Sequence, residues 1–149
     1  MTTKQYLEQL SVLEKMIADK LDQVYTLKAS ASCPSCQINP NKVQTSHDGD
    51  KMADIVANII ELNKEIETLQ DRYTDLRRDI CNNANKLSYR HKNIIISRYV
   101  YRKTIHAIAI ENAMTDRGCK KAHLRALEEF SKAKNNSKLG LDSSPIQTV

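Results

Sequence analysis

Apolar residues recur at steps of three and four along two long stretches of the chain. In residues 4–29 they stand at Tyr6, Leu10, Leu13, Ile17, Leu21, Val24 and Leu27, and in residues 51–85 at Met52, Ile55, Ile59, Leu62, Ile66, Leu69, Tyr73, Leu76 and Ile80. Such steps place the apolar side chains along one side of an α-helix. Each stretch therefore predicts an amphipathic helix with a single apolar stripe.

The second stripe repeats over four heptads without a break, which is typical of a coiled coil. Residues 30–50 contain Ser, Pro and Gly and show no helical period, so they predict a loop. We expect the two stripes to pack together as an antiparallel hairpin over residues 1–85, while the last turns of the longer second helix pack elsewhere. An intermolecular coiled coil is the alternative, and a hairpin that also forms a homodimer would combine the two arrangements.

The last third of the chain predicts shorter helices. One covers residues 88–101, a second covers 105–111 with Thr104 as its cap, and a third covers 116–132 with Thr115 as its cap. Residues 133–149 are rich in Asn, Ser and Lys with little apolar content, so they predict a disordered tail. The predicted fold class is all-α: a helical hairpin over 1–85, followed by a small helix-turn-helix module over 86–132.

Charge divides unevenly along the chain. Residues 1–80 hold 10 Lys and Arg against 13 Asp and Glu, whereas residues 81–149 hold 13 against 5, a net charge of +8. A strongly basic segment of this kind usually meets phosphate groups. No apolar run approaches the roughly 20 residues that span a bilayer, and the charged N-terminus is unlike a signal peptide. We therefore expect a cytoplasmic protein without a membrane partner.

A short helix, a tight turn and a second helix describe a helix-turn-helix, whose second helix enters the major groove of DNA. The outer face of residues 115–126 would present Thr115, Arg117, Lys120, Lys121 and Arg125. Lys and Arg can pair with phosphates, and Arg can also form two hydrogen bonds with guanine. Arg102 and Lys103, with Lys86, Arg90 and Lys92, would hold the flanking backbone. The expected partner is double-stranded DNA.

Several short segments resemble region 4 of bacterial sigma factors. They are Arg98-Tyr99-Val100, Thr104-Ile105-His106-Ala107-Ile108-Ala109, Met114-Thr115 and Arg125-Ala126-Leu127. Residues 42–46 and 50–54, followed by the heptad helix, are similar to a narrower group: small phage- and prophage-encoded proteins of Gram-positive bacteria with a sigma-like C-terminal helix-turn-helix. The resemblance implies sequence-specific DNA binding in phage transcription control, with host RNA polymerase as a further partner.

Three residues depart from that pattern. Asn112 stands where sigma-like motifs usually place a large apolar residue, and Ala113 stands where they usually place Gly. Asn112 would lower the stability if it were buried without a partner. Gly118 lies inside the third helix, where Gly costs up to about 1 kcal/mol relative to Ala.

Cys33 and Cys36 form a C-x-x-C pair, which is half of a zinc site. His47 is a candidate third ligand, but a fourth is missing nearby, and a redox role would need a strand–helix unit that the sequence does not predict. We interpret the two as incidental loop cysteines. Because the chain has no Gly-rich phosphate loop and no nucleophile motif, we expect no catalytic residues, no metal, no cofactor and no enzymatic activity.

The main alternative function is a coiled-coil interaction protein whose basic end binds an acidic protein surface. Binding to an anionic membrane is a third and weaker possibility, because the basic helices lack Trp and a broad apolar face. His106 and His123 are interpreted as surface residues, with His123 within reach of a phosphate.

Overall fold

The computed structural model describes residues 1–32 and 48–138. Within these ranges the chain is all-α, as predicted, with five α-helices and no strand. The helices are α1 (Thr3–Ser32), α2 (Asp48–Ala84), α3 (Tyr89–Ile95), α4 (Ile105–Glu111) and α5 (Asp116–Lys138), and a π-helical turn (Ile96–Val100) continues α3. Residues 33–47, with Cys33, Cys36 and the 42–46 segment, and residues 139–149 lie outside the described residues.

The chain packs as two compact units. The C-terminal unit combines Met1–Val12 with the chain from Thr74 onward, and the paired-helix unit is Leu13–Tyr73. This division differs from the predicted boundary near residue 85, because the start of α1 and the end of α2 belong to the C-terminal unit. Leu7, Leu10, Ile80 and Ala84 are buried. The apolar spacing of α1 and α2 continues unchanged across the boundary between the two units. The spacing alone therefore does not show which part of each helix belongs to which unit.

Within the paired-helix unit the segments of α1 and α2 run antiparallel. Tyr73 Oη donates a hydrogen bond to Glu14 Oε1 at 2.6 Å, and Lys20 pairs with Glu65. Residues later in α1 therefore pair with residues earlier in α2, as expected for antiparallel helices. The most buried side chains of the unit are Leu13, Val24, Ile66 and Leu69, all of them members of the predicted stripes. Full burial of each such side chain contributes about 1.5–3 kcal/mol.

In the C-terminal unit, α5 packs against both α3 and α4. The core between these helices is built from Ile94, Ile108, Ala109 and Cys119, with Ile105, Met114 and Ala122 at its edge. Ala109 and Cys119 are small, so α4 and α5 can approach each other closely. The packing holds α5 with one side in the core and the opposite side in solvent.

The α5 helix continues to Lys138, so the prediction of a tail from residue 133 is wrong for residues 133–138. Partners distant in sequence support these turns. Lys134 Nζ lies 3.1 Å from the centre of the Tyr6 ring, and Ser137 Oγ donates to Asn83 Oδ1 at 3.1 Å. Lys86 Nζ also donates to Ser137 Oγ at 2.8 Å. Local composition does not show such contacts, because each partner lies more than 50 residues away.

Candidate nucleic-acid interface

Two capping threonines begin the helices that carry the candidate interface. Thr104 Oγ1 accepts a hydrogen bond from the Ala107 amide at 3.2 Å at the start of α4, as predicted. Thr115 Oγ1 accepts from the Gly118 amide at 3.1 Å at the start of α5, also as predicted. A side-chain oxygen in this position satisfies a backbone N–H that has no partner inside its own helix. The caps therefore fix where α4 and α5 begin.

The connection between α4 and α5 accommodates two of the three residues that depart from the sigma-like pattern. Asn112 is half-buried, and its side-chain amide donates to the Ile108 carbonyl at 2.8 Å, so it is not left unpaired. Ala113 has a φ of 52°, in the left-handed region. A residue with a Cβ pays roughly 1 kcal/mol for this conformation, which glycine adopts freely. The Met114 amide then donates to the Ala109 carbonyl at 2.8 Å and closes the turn.

Gly118 has a local reason to lack a side chain. A Cβ at this position would lie 3.1 Å from Thr115 Oγ1 and 3.8 Å from the Met114 methyl carbon. The first distance is shorter than ordinary van der Waals contact. The capping hydroxyl of Thr115 therefore occupies the space that an alanine at position 118 would need.

Four cations project from α5 into solvent. Arg117, Lys120, Lys121 and Arg125 are exposed, whereas Cys119 and Ala126 on the opposite side are buried. Within residues 1–32 and 48–138, none of the four makes an ion pair or a side-chain hydrogen bond. Successive helix residues are about 100° apart. Arg117 and Lys121 therefore share the outermost line of α5, with Lys120 on one flank and Arg125 on the other.

Two other residues predicted to contact DNA, Arg102 and Lys103, have partners within the protein. Arg102 has a φ of 56°, and its Nη2 donates to the Ser11 carbonyl at 3.2 Å. Lys103 Nζ lies 2.5 Å from Glu111 Oε1 in an ion pair. Both side chains therefore contribute to contacts inside the C-terminal unit and are not grouped with the cations of α5.

A groove between α3 and α5 brings together cations that are far apart in sequence. Arg90 of α3 lines it with Lys121 and Arg125 of α5, around a space of about 280 Å³, with Met114 and Gly118 among the other lining residues. The lining includes no Asp or Glu from the described part of the chain. The sequence suggests Arg90 only as one of several flanking cations. Its position opposite Lys121 and Arg125 depends on the packing of α3, which spacing along the chain does not show.

Leu124 is a feature of this surface that the sequence interpretation missed. Its side chain is 61% exposed although Lys120, Lys121 and Arg125 stand within four residues of it on the same helix. An apolar side chain on a DNA-facing helix can contact the methyl group of thymine. The sequence does indicate this exposure, because Leu124 lies outside the apolar stripe of α5 that includes Cys119, Ala126 and Phe130.

Asp116 is the acidic residue in the first turn of α5. Its carboxylate oxygens lie 3.0 and 3.1 Å from His106 Nδ1, so the side chain bridges back to α4. A carboxylate in this position interacts favourably with the positive end of the helix dipole. Burial, with the Asp116 charge as a second cause, raises the pKa of the Cys119 thiol, which keeps this core residue uncharged.

His123 is half-buried and takes part in the packing of the C-terminal unit, a contact that its interpretation as a surface residue did not include. Its Nε2 lies 3.0 Å from Tyr99 Oη, and the two rings are stacked with centroids 5.8 Å apart. Burial lowers the pKa of His123, and the nearby charges of Arg98 and Lys4 lower it further. Burial also raises the pKa of Tyr99. The neutral histidine is therefore a structural partner of Tyr99.

Other kinds of site find little support in the described ranges. No group of three or more His, Cys, Asp or Glu side chains in residues 1–32 and 48–138 could hold a metal ion. None of the helices described above is long and apolar enough to cross a membrane. No known protein family, curated protein or solved structure matches the chain at a significant level.

Proposed function

We propose that the chain binds double-stranded DNA by placing the first half of α5 in the major groove. The observation that carries this proposal is the exposed set of cations on α5 (Arg117, Lys120, Lys121 and Arg125), on a helix that follows a short helix and a tight turn. Cations without carboxylate partners are available to phosphate groups, and a single α-helix fits the width of the major groove.

The proposed roles follow from position on α5. Arg117 and Lys121 on the outermost line would reach base edges, as would Thr115 at the start of the helix, while Lys120 and Arg125 on the flanks would pair with backbone phosphates. Phosphate contacts supply most of the affinity and orient the protein, whereas contacts with base edges select the sequence. The cap at Thr115 supports this assignment, because it fixes where α5 begins.

The biological setting is proposed on the sequence resemblance alone. Similarity to sigma region 4 and to small phage-encoded proteins supports a transcription regulator that acts in the cytoplasm, with host RNA polymerase as a further partner. An activator and a repressor would use α5 in the same way.

Binding can be tested by fluorescence anisotropy with a labelled mixed-sequence duplex over a series of salt concentrations. A Lys120→Ala/Lys121→Ala variant removes two cations from the proposed interface. A Lys132→Ala/Lys138→Ala variant removes the same charge from the distal part of α5 and serves as the matched control. We expect wild-type affinity to fall steeply with salt, and the first variant to show a slope shallower by roughly 0.9 for each phosphate that the variant no longer binds.

The proposal would be contradicted by a wild-type protein that fails to bind duplex even at low salt. Equally weakened binding in both double variants would also contradict it, because the effect would then follow net charge and not the proposed face.

A second candidate function is self-association through the paired-helix unit. Tyr25, Val56 and Ile60 lie outside the stripes that pack α1 against α2, and they are 73, 48 and 50% exposed. Met52, the first residue of the α2 stripe, is also partly exposed. Apolar side chains at such positions support a contact with a second helical surface. A homodimer would present two copies of α5, as DNA-binding proteins with paired half-sites do.

Sedimentation velocity of the wild type and of a Val56→Glu/Ile60→Glu variant tests this candidate. A dimer that becomes a monomer in the variant supports it, and a monomeric wild type at micromolar concentration contradicts it. The same variant also separates the two functions. Its substitutions lie in the paired-helix unit, so we expect the monomeric variant to keep the contacts of α5 with DNA.

A further inference from the structure

The groove between α3 and α5 concentrates positive charge without a balancing carboxylate among its lining residues in the described ranges. Arg90, Lys121 and Arg125 line it, together with His91. The carboxylate of Glu129 is already engaged, because its Oε2 lies 2.7 Å from His91 Nδ1. Lys121 and Arg125 are four residues apart on one helix, an arrangement in which like charges repel. An anion in the groove would offset part of that repulsion.

The position of the groove indicates which anion it suits. It lies on the flank of α5 that carries Arg125, beside the outermost line of Arg117 and Lys121. When a helix occupies the major groove, its outermost line faces the bases, and its flanks face the phosphates that border the groove. In the proposed complex the Arg90 side would therefore face one of the two DNA backbones.

We propose that this groove holds one backbone phosphate of the bound duplex, contacted by Arg90 from α3 and by Arg125 from α5. The inference rests on the proposed function and adds to it a residue outside the helix-turn-helix. Guanidinium groups suit such a site because each presents planar, paired donors to phosphate oxygens. A phosphate shared by two helices would also set the angle at which α5 enters the major groove.

The test is a double-mutant comparison of salt dependence with the full chain. Duplex affinity is measured by anisotropy over a salt series for wild type, Arg90→Ala, Arg125→Ala and the double variant. Because the two arginines share one phosphate, we expect the double variant to reduce the slope of log affinity against log salt by roughly 0.9 in total. Two independent phosphate contacts would reduce it by roughly 1.8.

Two controls accompany these measurements. Lys132→Ala removes a cation from α5 outside the groove and should leave the slope close to wild type. Circular dichroism checks that the arginine variants keep their helix content, as expected for side chains on the surface of the groove. A further titration replaces part of the chloride by inorganic phosphate at constant ionic strength, which tests whether the groove prefers a free phosphate ion.

The possible outcomes separate this inference from the proposed function. A wild type that binds duplex, with an Arg90→Ala/Arg125→Ala variant that keeps its slope, overturns the shared phosphate while DNA binding stands. A reduction near 1.8 also overturns it. Displacement of the duplex by inorganic phosphate that depends on Arg90 supports it, because the free ion and the duplex then compete for the groove. Absence of salt-dependent duplex binding in the wild type removes the proposed function and this inference together.

Discussion

The ring centres of Tyr6 and Phe130 are 6.4 Å apart, which packs the beginning of α1 against α5. Leu7 and Leu10, which follow Tyr6 on α1, are fully buried or nearly so. The helix that carries the candidate interface is therefore stabilised by the first residues of the chain. The local motif around α4 and α5 is only part of a larger folded unit.

The contribution of this N-terminal segment can be measured with one substitution. Leu10→Ala should lower the free energy of unfolding by roughly 2–5 kcal/mol, because it removes a buried side chain and leaves a cavity. Leu21→Ala in the paired-helix unit is the matched control, since Leu21 is partly exposed and should cost much less. Urea unfolding monitored by circular dichroism compares the two. Equal decreases in stability would show that the N-terminal segment does not contribute as described.

Ala113→Gly should stabilise the protein by roughly 0.5–1 kcal/mol. The substitution relieves the left-handed conformation at this turn, where the φ of Ala113 is 52°. Ala107→Gly provides the opposite control inside α4, where glycine should cost about 1 kcal/mol. Thermal unfolding of both variants measures the difference. Destabilisation by Ala113→Gly would mean that this position does not hold a left-handed residue.

The effect of Gly118→Ala should depend on the residue at position 115. In the wild-type background the new Cβ would be crowded by Thr115 Oγ1 at 3.1 Å, so the usual gain of about 1 kcal/mol in helix propensity should be mostly cancelled. In a Thr115→Ala background the crowding oxygen is absent, and the gain should return. The measurement is the unfolding free energy of wild type, Gly118→Ala, Thr115→Ala and the double variant, which together form a double-mutant cycle. Additive effects of the two substitutions would contradict the close approach of the cap to Gly118.

Stability should fall with decreasing pH partly because of His123. Burial lowers its pKa from the ordinary value of 6.5, so the unfolded chain takes up this proton at a higher pH than the folded protein does. The stabilising contribution is therefore fully present above pH 6.5 and is lost as pH falls towards the lowered pKa of the folded state. His123→Gln keeps a hydrogen-bonding group near Tyr99 and cannot be protonated in this range.

The measurement is the midpoint of thermal unfolding at several pH values between about 7.5 and 5. We expect a smaller decrease for His123→Gln than for wild type. An equally steep decrease in both proteins would assign the pH dependence to other groups.

Leu124→Ala should weaken DNA binding in a way that differs from removal of a cation. Removing an exposed apolar side chain should leave the salt slope and the unfolding free energy nearly unchanged, because Leu124 neither pairs with phosphate nor fills the core. The decrease in affinity should depend on sequence, with duplexes that offer a thymine methyl at the contacted position most affected. Anisotropy with a duplex selected by the wild type and a variant duplex with that thymine replaced by uracil tests this. Identical decreases on both duplexes would contradict a contact with the methyl group.

The features that the sequence predicts well are local ones. The apolar spacing in α1 and α2 and the caps at Thr104 and Thr115 depend on residues a few positions apart, so the sequence displays them directly. The sequence places the end of α5 too early because Lys134 and Ser137 find their partners in Tyr6 and Asn83. The role of His123 is hidden for the same reason, since its partner Tyr99 lies 24 residues away. Arg90 enters the candidate site through helix packing alone.

The most direct test of the central claim is the location of the DNA-binding surface in solution. Chemical shifts of the backbone amides can be followed by two-dimensional ¹H–¹⁵N NMR while a duplex is added to the full chain. Binding through α5 predicts that the largest changes fall on residues 115–126 and on Arg90, with residues 16–28 of α1 little affected. Changes confined to the paired-helix unit, or no changes at a duplex concentration that saturates the anisotropy signal, would contradict the account.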